Sequence, residues 1–116
     1  MKRNIIFYRF DNGESPVEEF LDTLSDKAAQ KVIAFFKLIE DSELVSSRFF
    51  KKLTGTNIWE CRIMWQSNIY RILGFFDKGD LIVLTNGFQK KTQKTPASEI
   101  QRAEKYMEDY KRSNKK

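Results

Sequence analysis

Three lysines, Lys90, Lys91 and Lys94, lie close together in one short segment of the chain. The apolar run 81–84 before them is typical of a strand, and the Thr-Pro step at 95–96 is typical of a helix start. The lysines are therefore predicted to lie on a loop that is anchored at both ends. Such a loop can aim positive charge at a polyanion. A lysine surrounded by other cations also gives up its proton more readily, so these side chains are candidates for acid or base chemistry.

Two arginines are expected on neighbouring strands. In the segment 58–65, Glu60 and Arg62 fall on one face, because residues two apart in a strand point the same way. The next apolar segment carries Arg71, and an arginine on such a face is costly to bury without an anionic partner. Two interpretations follow. Either Glu60 or another carboxylate neutralises Arg71 structurally, or Arg71 is held ready for a phosphate.

Several further residues are candidates for contact with nucleic acid. Lys51 and Lys52 would position a phosphate backbone, and Phe88 would stack on a base if it is exposed or join the core if it is not. Glu60 is another candidate base. The sequence contains no histidine and no Gly-rich phosphate loop, so histidine-based nucleophile activation is excluded and no metal or cofactor is predicted.

The length of 116 residues predicts a single domain over 1–116, large enough to fold without metal or disulfide help. No apolar run approaches the roughly 20 residues that a membrane span needs, so no membrane partner is predicted. The single cysteine, Cys61, is interpreted as a small core residue. With no targeting segment recognised, a reducing cytoplasm is expected.

The net charge of +5 is unevenly distributed along the chain. Residues 1–50 contain seven Lys and Arg against nine Asp and Glu, whereas residues 51–116 contain fourteen against seven. The basic second half favours an anionic partner such as nucleic acid, although a solvated charged surface would give the same counts.

The first half of the sequence predicts one strand and two helices. The strand is expected over 4–10. Ser15 opens a Ser-Pro-Val-Glu sequence with the spacing of a capping box, and apolar residues follow it at helical intervals. Ser25 opens a second helix of about four turns that is expected to end near Asp41.

The second half changes to the period of strands. Residues 42–57 are predicted to form a turn-rich connector, and 96–111 a last helix followed by a frayed tail over 111–116. Three strands of an antiparallel meander are predicted between them, over 58–65, 69–76 and 81–88. The fold class is therefore α+β, in the order β-α-α-β-β-β-α, with one sheet packed against helices.

Four motifs in this order resemble the phage-derived branch of the RelE/HigB toxins of type II toxin-antitoxin systems. They are Lys51-Lys52-Leu53, Trp59-Glu60-Cys61-Arg62, Tyr70-Arg71-Ile72-Leu73 and the run from Gly87 to Pro96. The resemblance covers nearly the whole chain. It implies a RelE-like single domain and a metal-independent endoribonuclease, an mRNA interferase that cuts translated mRNA on the ribosome. It also implies a cognate antitoxin, commonly a helix-turn-helix protein of the HigA type.

The same resemblance implies roles for individual residues. Tyr70-Arg71 matches a Tyr-Arg pair on the middle strand of these toxins, whose arginine faces the scissile phosphate. Arg62 lies near a basic position on the preceding strand, and 88–94 matches the end of the last strand, where further basic residues occur. The tyrosine that RelE carries beyond that strand has no counterpart here, and the histidines of some HigB proteins are absent. The general acid and base are therefore unassigned.

RNA cleavage requires a deprotonated ribose 2′-OH, a stabilised phosphate and a protonated leaving oxygen. Arg71 and Arg62 are expected to hold the phosphate oxygens, and Lys90, Lys91, Lys94 or Glu60 to transfer protons. Two alternatives stay open. One is a ParE-type toxin that inhibits DNA gyrase without nucleolytic chemistry, and the other is a non-catalytic nucleic-acid-binding module.

Overall fold

A five-stranded mixed sheet forms the centre of the computed structural model, which describes residues 3–89 and 94–113. Its strands are β1 (Asn4–Phe7), β2 (Phe50–Lys52), β3 (Trp59–Trp65), β4 (Asn68–Asp77) and β5 (Leu81–Gln89), and its helices are α1 (Pro16–Asp22), α2 (Asp26–Asp41) and α3 (Ala97–Ser113). The strand order across the sheet is β1-β5-β4-β3-β2. The predicted α+β class and the antiparallel meander, here β3-β4-β5, are confirmed.

The helix starts follow from local sequence chemistry. The Ser15 hydroxyl accepts a hydrogen bond from the Glu18 amide at 3.1 Å, and the Ser25 hydroxyl accepts one from the Ala28 amide at 3.2 Å. Both contacts satisfy amides that have no partner inside the helix, as the serines predict. The Glu18 carboxylate does not complete a capping box, because it pairs with Arg9 at 2.5 Å.

The largest difference from the predicted order is β2, because the segment 42–57 was expected to lack regular structure. Phe50 is buried and faces Cys61 in register, while the two lysines that follow it are exposed. Three residues are too short to display a strand period, and pairing with β3 supplies the hydrogen bonds that fix them. The bounds also shift at two ends. β1 stops at Phe7 instead of residue 10, and α3 continues to Ser113 instead of residue 111.

The two faces of the sheet pack against different helices. One face packs against α1 and α2 through an apolar cluster that includes Val32, Phe36, Cys61 and Ile72. The other face packs against α3 through smaller apolar groups, one around Ala103 and one around Phe75. Polar side chains are also buried on the α3 face, and these build the site described next. No helix in the described ranges is long and apolar enough to cross a membrane.

Candidate functional site

The register of β3 and β4 brings the two predicted arginines together. Arg62 lies directly opposite Arg71, and Arg71 lies directly opposite Phe88 of β5. On the edge of the sheet, Lys51 of β2 lies opposite Glu60 of β3. Directly opposed like charges destabilise a sheet, so the Arg62 and Arg71 pair needs a carboxylate nearby.

Glu60 supplies that carboxylate from within the protein. Arg71 Nη1 lies 3.2 Å from both Glu60 carboxylate oxygens, and both side chains are almost fully buried, at 2% exposure. Arg62 Nη2 lies 3.7 Å from Glu60 Oε1. The Thr95 hydroxyl, at the start of the approach to α3, donates a hydrogen bond to Glu60 Oε2. A buried charge with several donors around it is far cheaper than an isolated one, so these contacts explain how Glu60 is tolerated in the interior.

A cavity of about 240 Å³ opens above this network, and we call it the Glu60 cavity. It is lined by Lys51, Leu53, Thr54, Glu60, Arg62, Arg71, Lys94, Thr95 and Ile100. Four of these side chains are cationic and one is a carboxylate. Even after Glu60 is paired with Arg71, three cationic side chains remain, so the positive charge of the cavity exceeds its negative charge. An arrangement of this kind attracts phosphate groups.

The two interpretations of Arg71 can now be separated. Glu60 neutralises Arg71 structurally, as the first interpretation predicted, yet Arg71 also reaches the wall of the cavity. Arg62 is the more accessible arginine, with 30% of its side chain exposed. Its Nε atom is buried and has no hydrogen-bond partner among the residues the structure describes. The accessible donors of Arg62 are instead on its terminal guanidinium nitrogens, because Nη2 at 3.7 Å lies beyond hydrogen-bond distance of Glu60 and could bind an oxyanion.

The remaining predicted residues are divided between several places. Lys51 lines the Glu60 cavity, whereas Lys52 lies one position further on, opposite Trp59, and lines a neighbouring cavity. Phe88 is half-buried and packs beside the Ala103 cluster, on the sheet face that carries Arg71. Lys94 is exposed and lines the Glu60 cavity. Lys90 and Lys91 lie outside the described residues.

Sequence reasoning missed Thr95 as part of this site. The Thr-Pro step predicts only a helix start, but the Thr95 hydroxyl donates its hydrogen bond to Glu60, 35 positions earlier in the chain. In sequence, a threonine directly before a helix indicates a helix cap, and nothing indicates a contact with a carboxylate far away in the chain. By donating to Glu60, the Thr95 hydroxyl instead holds the beginning of α3 against β3.

The interpretation of Cys61 as a core residue is confirmed. Its side chain lies on the apolar face of β3 and is 1% exposed. Burial, with a smaller effect from the charge of Glu60, raises the pKa of the thiol far above its usual range. A buried thiol with a raised pKa stays protonated near neutral pH and packs as a small apolar side chain. Within residues 3–89 and 94–113, no group of three or more side chains with metal-binding atoms could hold an ion.

Comparison with known proteins identifies the family. The sequence matches the family described as Phage derived protein Gp49-like (DUF891) over residues 19–108, most of the chain. The chain belongs to the phage-derived Gp49-like family. In this Gp49-like protein the matched region begins within α1, ends within α3 and includes every residue that lines the Glu60 cavity. No curated protein matches the chain.

Proposed function

We propose that this Gp49-like protein is the toxin of a type II toxin-antitoxin system and acts as a ribosome-dependent mRNA endoribonuclease. The observation that carries the proposal is the Glu60 cavity, in which Arg62, Arg71, Lys51 and Lys94 surround one buried carboxylate. The excess of cations suits a phosphodiester, whose negative charge grows as the 2′-oxygen attacks. Membership of the Gp49-like family and the resemblance to RelE/HigB toxins support the same function.

The phosphate would be held chiefly by Arg62. Its side chain is partly exposed, and its Nη2 lies 3.7 Å from Glu60, beyond hydrogen-bond distance, so this nitrogen can turn to a phosphate oxygen. Lys51 would add a second positive charge from the sheet edge. Arg71 is as buried as Glu60 and would act from the floor of the cavity through its charge and by positioning Glu60, not by direct contact with the phosphate. Donors that are already oriented stabilise developing charge without a cost of rearrangement.

Proton transfer would fall to the lysines rather than to Glu60. The Glu60 carboxylate is 2% exposed and is already contacted by Arg71 and Thr95, so a ribose hydroxyl cannot reach it without displacing them. Its role in the proposal is to position the arginines. Lys94 lies exposed on the cavity wall and is the candidate acid or base within the described chain. Lys90 and Lys91 remain candidates from the adjoining segment.

The proposed partners are the ribosome with its mRNA and a cognate antitoxin. A host that makes an active mRNA endoribonuclease must neutralise it, and covering the Glu60 cavity would do so directly. An antitoxin of helix-turn-helix type would supply acidic side chains to this cavity, since the cavity is cationic. A complex that left Lys51, Arg62 and Lys94 open would instead indicate that the antitoxin sterically excludes the toxin from the ribosome.

The test is induced expression in a bacterial host, with mapping of new mRNA 5′ ends alongside growth. We expect growth arrest with cleavage inside translated frames, and Arg62→Ala to reduce cleavage by about a hundredfold, as loss of one transition-state donor does. Arg112→Ala is the matched control, because Arg112 is exposed near the other end of α3. Arrest without cleavage would favour the gyrase-inhibiting alternative. No arrest at all would favour the non-catalytic binding module.

A further inference from the structure

A second cavity of about 410 Å³ adjoins the Glu60 cavity, and Leu53 and Thr54 line both. We call it the Glu104 cavity after the carboxylate on its α3 side. Its opposite side is the loop that joins β2 to β3. A volume of this size is sufficient for a nucleoside, since small-molecule sites begin at roughly 300 Å³.

Glu104 differs from the other half-buried acidic residues of α3. Glu99 accepts a hydrogen bond from Asn86 at 3.0 Å and pairs with Arg102, and Asp109 is contacted by Tyr8 and Arg112. Glu104 is half-buried too, but within the described residues no hydrogen bond or ion pair engages its carboxylate. It is available to accept from a ligand that enters the cavity.

The loop opposite Glu104 is closed by its own hydrogen bonds. The Leu53 amide donates to the Ile58 carbonyl at 2.8 Å. The Thr56 hydroxyl donates to the Leu53 carbonyl at 2.9 Å and accepts from the Ile58 amide at 3.0 Å. Gly55 at the tip has a φ of 78°, a conformation that glycine adopts without strain. A preformed wall lowers the ordering cost of binding.

The chemistry of the walls suits a nucleobase joined to a phosphate. Leu53 and Met107 are half-buried and offer apolar contact to a flat ring. Lys52 lines the cavity with an exposed ammonium that would attract a phosphate. Asn57 presents an exposed amide that can both donate and accept. Together with Glu104 these groups provide one acceptor-only site, one cation and a hydrophobic slot.

We propose that the Glu104 cavity binds the base adjacent to the phosphate in the Glu60 cavity, and that Glu104 selects a base with an exocyclic amino group. Cytosine presents such an amino donor, and a carboxylate accepts from it. Uracil presents a carbonyl oxygen at the same place, which a carboxylate repels. The proposal rests on the proposed function, because an RNA strand bound at the Glu60 cavity is what brings a neighbouring base to Glu104.

The test measures binding of two trinucleotides that cannot be cleaved, 2′-O-methyl CCC and 2′-O-methyl UUU, to the purified full chain by amide chemical-shift titration. We expect CCC to bind about tenfold more tightly than UUU, as one specific base contact implies. Shifts should concentrate in the 53–57 loop and around Glu104. Glu104→Gln should bring the two affinities within about twofold of each other, since a glutamine amide can donate as well as accept.

Three control variants make the result specific. Glu108→Gln, one turn further along α3 and exposed, should keep the preference for CCC. Glu104→Lys should reverse it, because an ammonium donates to the uracil carbonyl. Arg62→Ala should weaken both trinucleotides equally and leave the preference intact.

Equal affinity of wild type for the two trinucleotides, no binding of either, or a preference that survives Glu104→Gln would each overturn the proposal. The proposed function fails separately. A CCC preference without mRNA cleavage in cells would support the base site and contradict the endoribonuclease activity. Cleavage in cells without a CCC preference would support the endoribonuclease activity and contradict the base site.

Discussion

Helix α3 contributes to the wall of the Glu60 cavity near its start and to the wall of another, larger cavity towards its end. We call the latter the Tyr8 cavity. It has about 430 Å³ and is lined by Tyr8, Phe10, Asp11, Lys105, Tyr106, Asp109 and Arg112. Its charged side chains balance, with two carboxylates against two cations, and its carboxylate Asp109 is contacted by Tyr8 and Arg112. The Glu60 cavity is smaller but has four cations against one carboxylate. Imbalance of charge, not volume, therefore distinguishes the candidate phosphate site.

The two cavities also differ in how their polar groups are stabilised. In the Tyr8 cavity, Tyr8 and Tyr106 stack with ring centroids 4.9 Å apart, and this aromatic packing positions their hydroxyl groups. In the Glu60 cavity the floor is an ion pair at 2% exposure on both sides. Removing one partner of a buried pair leaves the other charge uncompensated, whereas removing one hydroxyl from an aromatic cluster leaves the packing intact.

The largest expected effect follows from that difference. Arg71→Ala should lower the free energy of unfolding by about 3–5 kcal/mol, because Glu60 would stay buried with its main cation gone. Urea denaturation of the purified proteins measures it. Replacing both partners together, as Glu60→Leu with Arg71→Met, should cost less than Arg71→Ala alone. A loss under about 1 kcal/mol for Arg71→Ala, comparable to that of an exposed pair, would mean that the buried ion pair is not what stabilises the floor.

The Tyr8 cavity should respond more weakly. Tyr8→Phe removes a 2.5 Å hydrogen bond to Asp109 and should lower the free energy of unfolding by about 1–2 kcal/mol near neutral pH. It should leave the proposed mRNA cleavage unchanged. Tyr106→Phe is the matched control, since within residues 3–89 and 94–113 the Tyr106 hydroxyl makes only a long contact of 3.4 Å with Arg102. Equal losses for the two variants would indicate that the hydroxyls do not matter.

The pH dependence of stability checks the same contact. Burial, the hydrogen bond to Asp109 and the charge of Asp109 raise the pKa of Tyr8 above its ordinary value of 10.0. The unfolded chain therefore releases this proton first, and the free energy of unfolding falls as pH rises above about 10. Tyr8→Phe should make that decline shallower. An unchanged decline would place the alkaline sensitivity in other groups, such as Cys61 and Tyr110, whose pKa values burial also raises.

The smallest expected effect is on the salt dependence of RNA binding. Each phosphate neutralised on a single strand contributes about −0.7 to the slope of log affinity against log salt. Arg62→Ala in the Glu60 cavity should therefore reduce the slope by about 0.7. Arg112→Ala in the Tyr8 cavity should leave it unchanged. Fluorescence anisotropy with a labelled single-stranded RNA measures both, and equal slopes for all three proteins would show that Arg62 does not contact phosphate.

Local signals predicted much of the fold. Ser15 and Ser25 begin helices because a serine hydroxyl can accept from an amide three residues later, which needs no information from the rest of the chain. Alternation along β3 correctly placed Glu60 and Arg62 on one face and Cys61 on the other. Strand β2 could not be found this way, because three residues contain less than two full periods.

The site was predictable only up to the point where distant parts of the chain meet. The costly burial of Arg71 predicted an anionic partner, either a carboxylate such as Glu60 or a bound phosphate, and the structure pairs it with Glu60. The contribution of Thr95 depends on how α3 docks, which involves the packing of Ala103, Tyr106 and Met107 against distant strands. The approach of Glu104 to the loop after β2 depends on the same docking, so no pattern within α3 distinguishes it from Glu108.

The pairing of β1 with β5 has a consequence for synthesis of the protein. These strands are the first and last of the sheet along the chain, yet they lie side by side and parallel. A growing chain that has emerged only as far as β4 holds β1 without its neighbour. It also lacks Thr95, which secures Glu60. The cationic cavity is therefore completed only after the growing chain has left the ribosome as far as Ile100, the last residue of its lining.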